Sequence, residues 1–209
     1  AEGKPVQPKK QIYAQAFGIY SLIEYYKISQ DEEAKEWAIS LFHLIEKYAL
    51  DKVENGYIEA FEKDWSPLTD VRLSEKDMNA EKTMNTHLHI LEAYTALLYI
   101  HRDEKVTEAL KNLIRLFFDK FLNKEFNFEL FFDKNWKLIS NEISFGHDIE
   151  AAWLLIDAAK ATQDEELIKL TENAAIKIAD RFLELGYQKG EGVYNELNRS
   201  TQKIEHCEL

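Results

Sequence analysis

The chain has 209 residues, of which 45% are hydrophobic and 31% are charged, and its formal net charge at pH 7 is −12. This composition is typical of a soluble globular protein, and the acidic balance argues against a nucleic-acid-binding surface, which needs a basic stripe to displace counterions. Because the chain holds only 7 glycines and 3 prolines, we expect long helices rather than a turn-rich sandwich.

The sequence shows no signal for export or for membrane insertion. Its single cysteine, Cys207, cannot form a disulfide within the chain. No apolar run approaches the ~20 residues that a membrane-spanning helix needs, and the first residues, AEGKPVQPKK, are polar. We therefore expect a cytoplasmic protein with no membrane partner, in which residues 1–9 form a tail or linker and residues 10–209 form one domain.

Three similar blocks follow one another along the chain, at residues 12–50, 86–122 and 147–185. In each block apolar residues recur at intervals of three and four, which is typical of amphipathic helices. A short acidic break divides each block, and Asp31, Asp103 and Asp164 occupy the expected N-cap positions of the second helices. The first helix of each pair is more apolar, so we predict three hairpins of an inner and an outer helix in an all-α toroid.

The segments between the blocks are aromatic and β-prone. We predict short β-hairpins or extended loops at residues 55–65, 126–139 and 191–198, and a functional loop at residues 66–83. Each of these segments follows an outer helix. We therefore expect them to cluster at the end of the structure where the inner helices begin.

The pattern H-x-x-E-A occurs at the start of two predicted inner helices. His89 precedes Glu92 in one copy, and His147 precedes Glu150 in the other. Residues three apart on a helix are neighbours, so each carboxylate could orient an imidazole that acts as a general base near neutral pH. The alternative is a structural role, which is the commoner fate of a single histidine at a helix start. A metal site is not predicted, because di-iron bundles use the reverse order, Glu-x-x-His.

The stretches MNTHLHILEAY, GHDIEAAWLL, YAQAF, LTDVRLSEKDMNAEKTMNTHLH and YNELNRST resemble the cellobiose 2-epimerase and N-acylglucosamine 2-epimerase family. The resemblance implies part of an (α/α)6 barrel with the active site in its central cavity. It also implies epimerisation at C2 of a reducing-end sugar by histidine-mediated deprotonation and reprotonation through an enediolate. The family needs neither a metal nor a nucleotide cofactor, so no cofactor is expected.

The resemblance also implies three catalytic residues. His147 in GHDIEAAW is similar to one of two acid/base histidines, and Glu150 would orient it or bind sugar hydroxyls. His89 in NTHLH is similar to the histidine that hydrogen-bonds the sugar near O1 and O5.

Four further residues are expected to bind the substrate. Asn85 would accompany His89, Tyr13 would face the same cavity, and Trp153 would lie against the sugar. His87 competes with His89 for its role, and we prefer His89 because it shares the H-x-x-E-A frame.

The resemblance covers the middle half of a family chain, without the second acid/base histidine. We therefore expect residues 1–209 alone to be inactive or nearly so, and to self-associate through exposed inner-helix faces. Other readings remain open at this point: an N-acylglucosamine or monosaccharide 2-epimerase, an (α/α)6 glycosidase, and a non-catalytic carbohydrate-binding or helical scaffold remnant. A glycosidase would need two facing acids rather than paired histidines.

Overall fold

The computed structural model describes residues 8–74 and 78–205. Most of the predicted tail, and Cys207, lie outside the described residues. The helices in the described part are α1 (Ile12–Ser29), α2 (Glu32–Tyr48), α3 (Met84–Ile100), α4 (Glu104–Leu116), α5 (Phe145–Thr162) and α6 (Glu165–Leu185), with a π-helical turn at Phe117–Phe121 after α4. The predicted three helical hairpins are therefore confirmed. None of the described helices is both long and apolar enough to cross a membrane.

The predicted N-caps set the start of each outer helix. The side chain of Asp31 accepts a hydrogen bond from the amide of Glu33. Asp103 caps α4 and Asp164 caps α6 in the same way, each accepting from two backbone amides. Since these carboxylates satisfy amides that have no partner within the helix, they fix where each hairpin turns.

The helices form an inner row and an outer row. The first helices, α1 and α5, pack against opposite sides of α3, and α3 is buried along most of its length. The second helices, α2, α4 and α6, pack outside this row against the inner helices of their own hairpins. The predicted asymmetry between inner and outer helices is thus confirmed.

Short antiparallel strand pairs recur in the connections between the hairpins, and three of these pairs are formed in the same way. The strand pairs are β1 (Lys10–Gln11) with β2 (Ala60–Phe61), β3 (Lys82–Thr83) with β4 (Phe131–Phe132), and β5 (Glu142–Ser144) with β8 (Glu196–Asn198). Strand β9 (Lys203–Glu205) extends the last pair, and β6 (Tyr187–Gln188) pairs with β7 (Gly192–Val193). The strand before each inner helix therefore pairs with the connection that follows the same hairpin, which places the three inner-helix N-termini at one end.

A buried lysine ties these connections together. The fully buried Nζ of Lys82 donates to Asp51 Oδ2 at 3.0 Å and to the carbonyl oxygens of Asn55 at 2.7 Å and Lys134 at 2.8 Å. It also lies 4.7 Å from the centroid of the Trp136 ring. Burial lowers the pKa of Lys82, while the carboxylate of Asp51 opposes this shift. One ammonium group thus joins three chain segments.

We expect Lys82→Met to lower the free energy of unfolding by about 3–5 kcal/mol, because the Asp51 carboxylate would stay buried without its cation. The matched control is Lys111→Met, which removes a partly exposed ion pair to Asp164 and should cost less than about 1 kcal/mol. Urea unfolding of both variants measures the difference. Equal losses would show that Lys82 does not hold the connections.

Candidate active site

A cavity of about 260 Å³ opens where α3 and α5 begin. It is lined by side chains from these two helix starts and from the connections between hairpins. They are Glu59, Arg72, Leu73, Met78, Ala80, Thr83, Asn85, Leu130, Phe131, Ser144, His147 and Glu196. The cavity therefore brings together two of the sequence-predicted site residues, Asn85 and His147.

His147 is held at both ring nitrogens. Its Nδ1 lies 2.8 Å from Ser144 Oγ, and its Nε2 lies 3.2 Å from Asn85 Oδ1. With the amide oxygen of Asn85 facing the ring, Nε2 donates its proton and Nδ1 accepts from the Ser144 hydroxyl. Burial lowers the pKa of His147, the carboxylate of Glu150 opposes this shift, and His89 adds to it. The imidazole is thus neutral at pH 7 and able to accept a proton.

Glu150 does not hydrogen-bond the His147 ring, and its other expected part, binding sugar hydroxyls, stays a prediction. The hydrogen bonds that hold His147 go to Ser144 and Asn85, so Glu150 acts on the ring through its charge rather than as the residue that orients it. Ser144 was not predicted. It precedes α5 at the N-cap position without capping the helix, which leaves its hydroxyl for His147.

His89 forms the predicted pair with its i+3 carboxylate. Its Nδ1 lies 3.4 Å from Glu92 Oε2. The ring also packs on Phe17 with centroids 4.5 Å apart, and Phe17 meets the edge of Tyr13 at 5.9 Å. Tyr13 is therefore connected to His89 through Phe17, which the sequence analysis did not single out.

His87 is a structural residue, and its prediction as a substrate-binding residue is wrong. It is fully buried, its Nδ1 lies 2.7 Å from the carbonyl oxygen of Thr83, and its Nε2 accepts from the amide of Tyr57 at 2.8 Å. Both ring nitrogens are therefore occupied by backbone groups. Burial lowers the pKa of His87 to about 3. The adjacent Gly56 has φ of 80°, and a Cβ there would lie 3.0 Å from His87 Nε2.

Trp153 lines a second cavity, and its expected contact with the sugar stays a prediction. This cavity, of about 160 Å³, is lined by Tyr20, Glu24, Lys27, Glu92, Thr95, Ala96, Tyr99, Trp153, Leu154 and Asp157. The side chain of Trp153 is 56% exposed. Because Glu92 lines this cavity and also contacts His89, the His89–Glu92 pair borders the second cavity.

Two acidic residues of the first cavity were missed by the sequence analysis. Glu59 accepts hydrogen bonds from the hydroxyls of Thr83 at 2.7 Å and Thr86 at 2.8 Å, and so braces the start of α3. Glu196 lies opposite Ser144 in the β5–β8 pair. Glu59 has no sequence signal, because its partners lie more than twenty positions away. Among residues 8–74 and 78–205, no cluster of three or more His, Cys, Asp or Glu side chains is placed to hold a metal ion.

Known proteins resemble the chain along nearly its whole length. The model of the N-acylglucosamine 2-epimerase (GlcNAc 2-epimerase) family matches residues 1–207. The cellobiose 2-epimerase of Bacteroides fragilis is 45% identical over 204 residues, which cover 97% of this chain and 52% of that protein. The cellobiose 2-epimerase of Dictyoglomus turgidum is 38% identical over 190 residues, covering 90% of this chain and 48% of that protein.

A solved structure confirms the predicted fold class, part of an (α/α)6 barrel. The cellobiose 2-epimerase of Bacillus thermoamylovorans superposes with a TM-score of 0.89 at 38% identity, over 98% of this chain and 52% of that one. The chain spans about half the length of the curated relatives it matches.

The His87→Phe variant should lose stability at pH 7 by about 1–3 kcal/mol, because the amide of Tyr57 loses its acceptor in a buried site. The loss should shrink on acidification. Between the unfolded pKa of 6.5 and the folded pKa of about 3, only the unfolded wild-type chain binds the proton. Wild-type stability therefore falls by about 1.4 kcal/mol per pH unit in this window relative to the variant. Urea unfolding from pH 7 to pH 5 checks this, and parallel curves would contradict it.

Proposed function

Because the chain belongs to the N-acylglucosamine 2-epimerase family, we propose that it serves in epimerising C2 of the reducing-end sugar of a β-1,4-linked disaccharide such as cellobiose. The observation that carries this proposal is a neutral imidazole, His147, held against Asn85 in a cavity at the inner-helix N-termini. A general base for a carbon acid needs both features, a free base form at pH 7 and a fixed position.

The reaction begins with the open-chain aldehyde form of the sugar. Nδ1 of His147 takes the proton from C2 as the Ser144 hydroxyl turns away from it. The C2–H electron pair forms a C1–C2 double bond, the C1=O π pair moves onto O1, and an enediolate results. Return of a proton to the opposite face of C2 gives the epimer. The C2 proton is weakly acidic, so negative charge on the enediolate must be stabilised. The N-termini of α3 and α5, which point to this end, favour such charge.

The neighbouring groups have complementary parts in this proposal. Glu150 favours the imidazolium that forms when His147 takes the proton, since its charge raises the pKa of His147. His89, braced by Glu92 and packed on Phe17, binds the sugar near O1 and O5. Asn85 holds the His147 ring between the two inner helices.

Epimerisation needs proton transfer on both faces of C2. Among the described residues His147 is the single imidazole that lines the first cavity. We therefore propose that residues 1–209 by themselves exchange the C2 proton with solvent but do not complete the epimerisation.

Incubation of residues 1–209 with cellobiose in heavy water should place deuterium at C2 of the reducing glucose faster than buffer alone. His147→Asn should reduce the rate to that of buffer, because the proton acceptor is lost. His43→Asn, at an exposed position of α2, is the matched control and should keep the wild-type rate. Proton NMR of the C2 signal gives the rates, and equal exchange by wild type and His147→Asn would overturn the assignment of His147.

The same assay separates the alternatives. Exchange with N-acetylglucosamine or free glucose, and none with cellobiose, would indicate that one of those sugars is the substrate. Binding of cellobiose without exchange by the wild-type chain would indicate a carbohydrate-binding remnant. Net formation of glucosyl-mannose by residues 1–209 would contradict the proposal that these residues hold one acid/base group.

We also propose that the exposed side of α1 mediates association with a second copy of the chain. Phe17, Tyr25 and Ile28 share this side of the helix, and Ile28 is 89% exposed. The opposite side is buried in the core through Ile12, Ala16, Ile19 and Ile23. A helix that is apolar on both sides is normally covered on both sides.

The double variant Tyr25→Lys/Ile28→Lys should shift the protein toward monomer, because two charges would enter the apolar surface. Light scattering over a concentration series measures the mass. Val53→Lys, which charges an 87% exposed apolar residue in the turn after α2, is the matched control and should leave the mass unchanged. A wild-type chain that stays monomeric at all concentrations would overturn the proposal.

A further inference from the structure

Asp148 follows His147 in the chain but points into the core. Its carboxylate is fully buried, where Oδ1 accepts from the backbone amide of Phe128 at 2.8 Å and Oδ2 accepts from Asn127 Nδ2 at 2.7 Å. The first turn of α5 is thereby bonded to the segment that leads into β4. The bond lies one residue from the proposed base.

The same segment is bonded to the first turn of α3. Two residues after Phe128, the carbonyl oxygen of Leu130 accepts from the amide of Met84 at 2.8 Å. The next residue, Phe131, pairs with Thr83 across β3 and β4. Residues 128–131 therefore contact α5 at one end and α3 at the other, and α3 carries Asn85 one residue after Met84.

The segment is also held from outside. Arg199 donates to Glu129 through both terminal nitrogens, with Nη1 2.6 Å from Oε1. The amide of Arg199 donates to the carbonyl oxygen of Asn141 at 2.9 Å, just before β5. Asn123 Oδ1 accepts from the amide of Asn127 at 3.1 Å. The residues that bridge α3 and α5 are thus fixed to the connection that precedes α5.

We propose that Asp148 is a positioning residue that, through Phe128 and Asn127, sets His147 at hydrogen-bond distance from Asn85. The 3.2 Å contact between His147 and Asn85 joins α3 to α5, so it depends on how the two helices are placed along each other. Residues 128–131 fix their relative level, and Asp148 is the side-chain link to α5. This inference rests on the proposed function in one respect, which is the role of His147 in proton transfer.

The buried carboxylate of Asp148 makes the stability of the fold depend on pH. Burial raises the pKa of Asp148 to about 7, against the two hydrogen bonds that favour the charged form. A group whose folded pKa is raised stabilises the fold below its unfolded pKa, and this contribution is lost as the pH rises through about 7. Asp148 therefore contributes less to the stability of the fold at and above neutral pH than it does in acid.

The test reads the tautomer of His147 by nitrogen NMR of histidine-labelled protein at pH 8, where its imidazole is neutral. In the wild type, Ser144 and Asn85 hold the ring, so one tautomer should dominate. Asp148→Asn turns an amide nitrogen toward Asn127 and should give the mixture of tautomers that a released imidazole shows. The double variant Asp148→Asn/Asn127→Asp exchanges donor and acceptor and should restore the single tautomer.

Glu46→Gln is the matched control. Glu46 is another shielded carboxylate that accepts two hydrogen bonds, from the hydroxyls of Tyr57 at 2.7 Å and Tyr94 at 2.8 Å, but it lies on α2. The variant should lose stability and keep the single His147 tautomer. If Asp148→Asn does not fold, Asn127→Ala carries the test, because it keeps the bond from Asp148 to the amide of Phe128 and should give a partial mixture.

A single tautomer in both Asp148→Asn and Asn127→Ala would overturn the positioning role, whatever their loss of stability. A mixture in the wild type would overturn it as well. Since this readout needs no turnover, a failed exchange assay with an intact tautomer response would count against the proposed function and leave the positioning of His147 standing.

Discussion

The pairing of the strand before each inner helix with the connection after the same hairpin is the constraint on which the candidate site depends. It occurs three times, and the residue directly before each inner helix takes part: Gln11, Thr83 and Ser144. Because a strand pair has a fixed register, all three inner helices begin at one level. Only then can a side chain of α3 and one of α5 meet across 3.2 Å, as Asn85 and His147 do.

The hairpins could be predicted from sequence because their signals are local. An acidic N-cap and an apolar repeat are each contained within a few residues, as at Asp103 and α4. The burial and the bonding partners of the histidines could not be predicted in this way. His87 and His89 are two positions apart on α3, yet one is bonded to the amide of Tyr57, thirty positions earlier, and the other faces Phe17 on α1. The H-x-x-E-A pattern favours His89 over His87 as the substrate-binding histidine, but this pattern carries no information about these contacts.

The repeated pattern H-x-x-E-A is also used in two different ways. In α3 the residue three positions before the histidine is Thr86, whose hydroxyl donates to Glu59, and His89 pairs with Glu92. In α5 that position is Ser144, which makes no side-chain cap, and its hydroxyl holds His147. Identical spacing therefore gives different partners, because the hydroxyl three positions before the histidine is bonded to Glu59 in α3 and to His147 in α5.

Graded burial decides which imidazole can do chemistry. Full burial lowers the pKa of His87 to about 3 although the bond to the Thr83 carbonyl opposes this shift, so the ring stays neutral. His147 is less completely buried, and the charge of Glu150 limits how far its pKa falls. A base needs this intermediate state, since it must be unprotonated before the reaction and still bind the proton that it removes. The same desolvation that makes one histidine part of the scaffold thus leaves the other suited to the proton transfer that we propose for it.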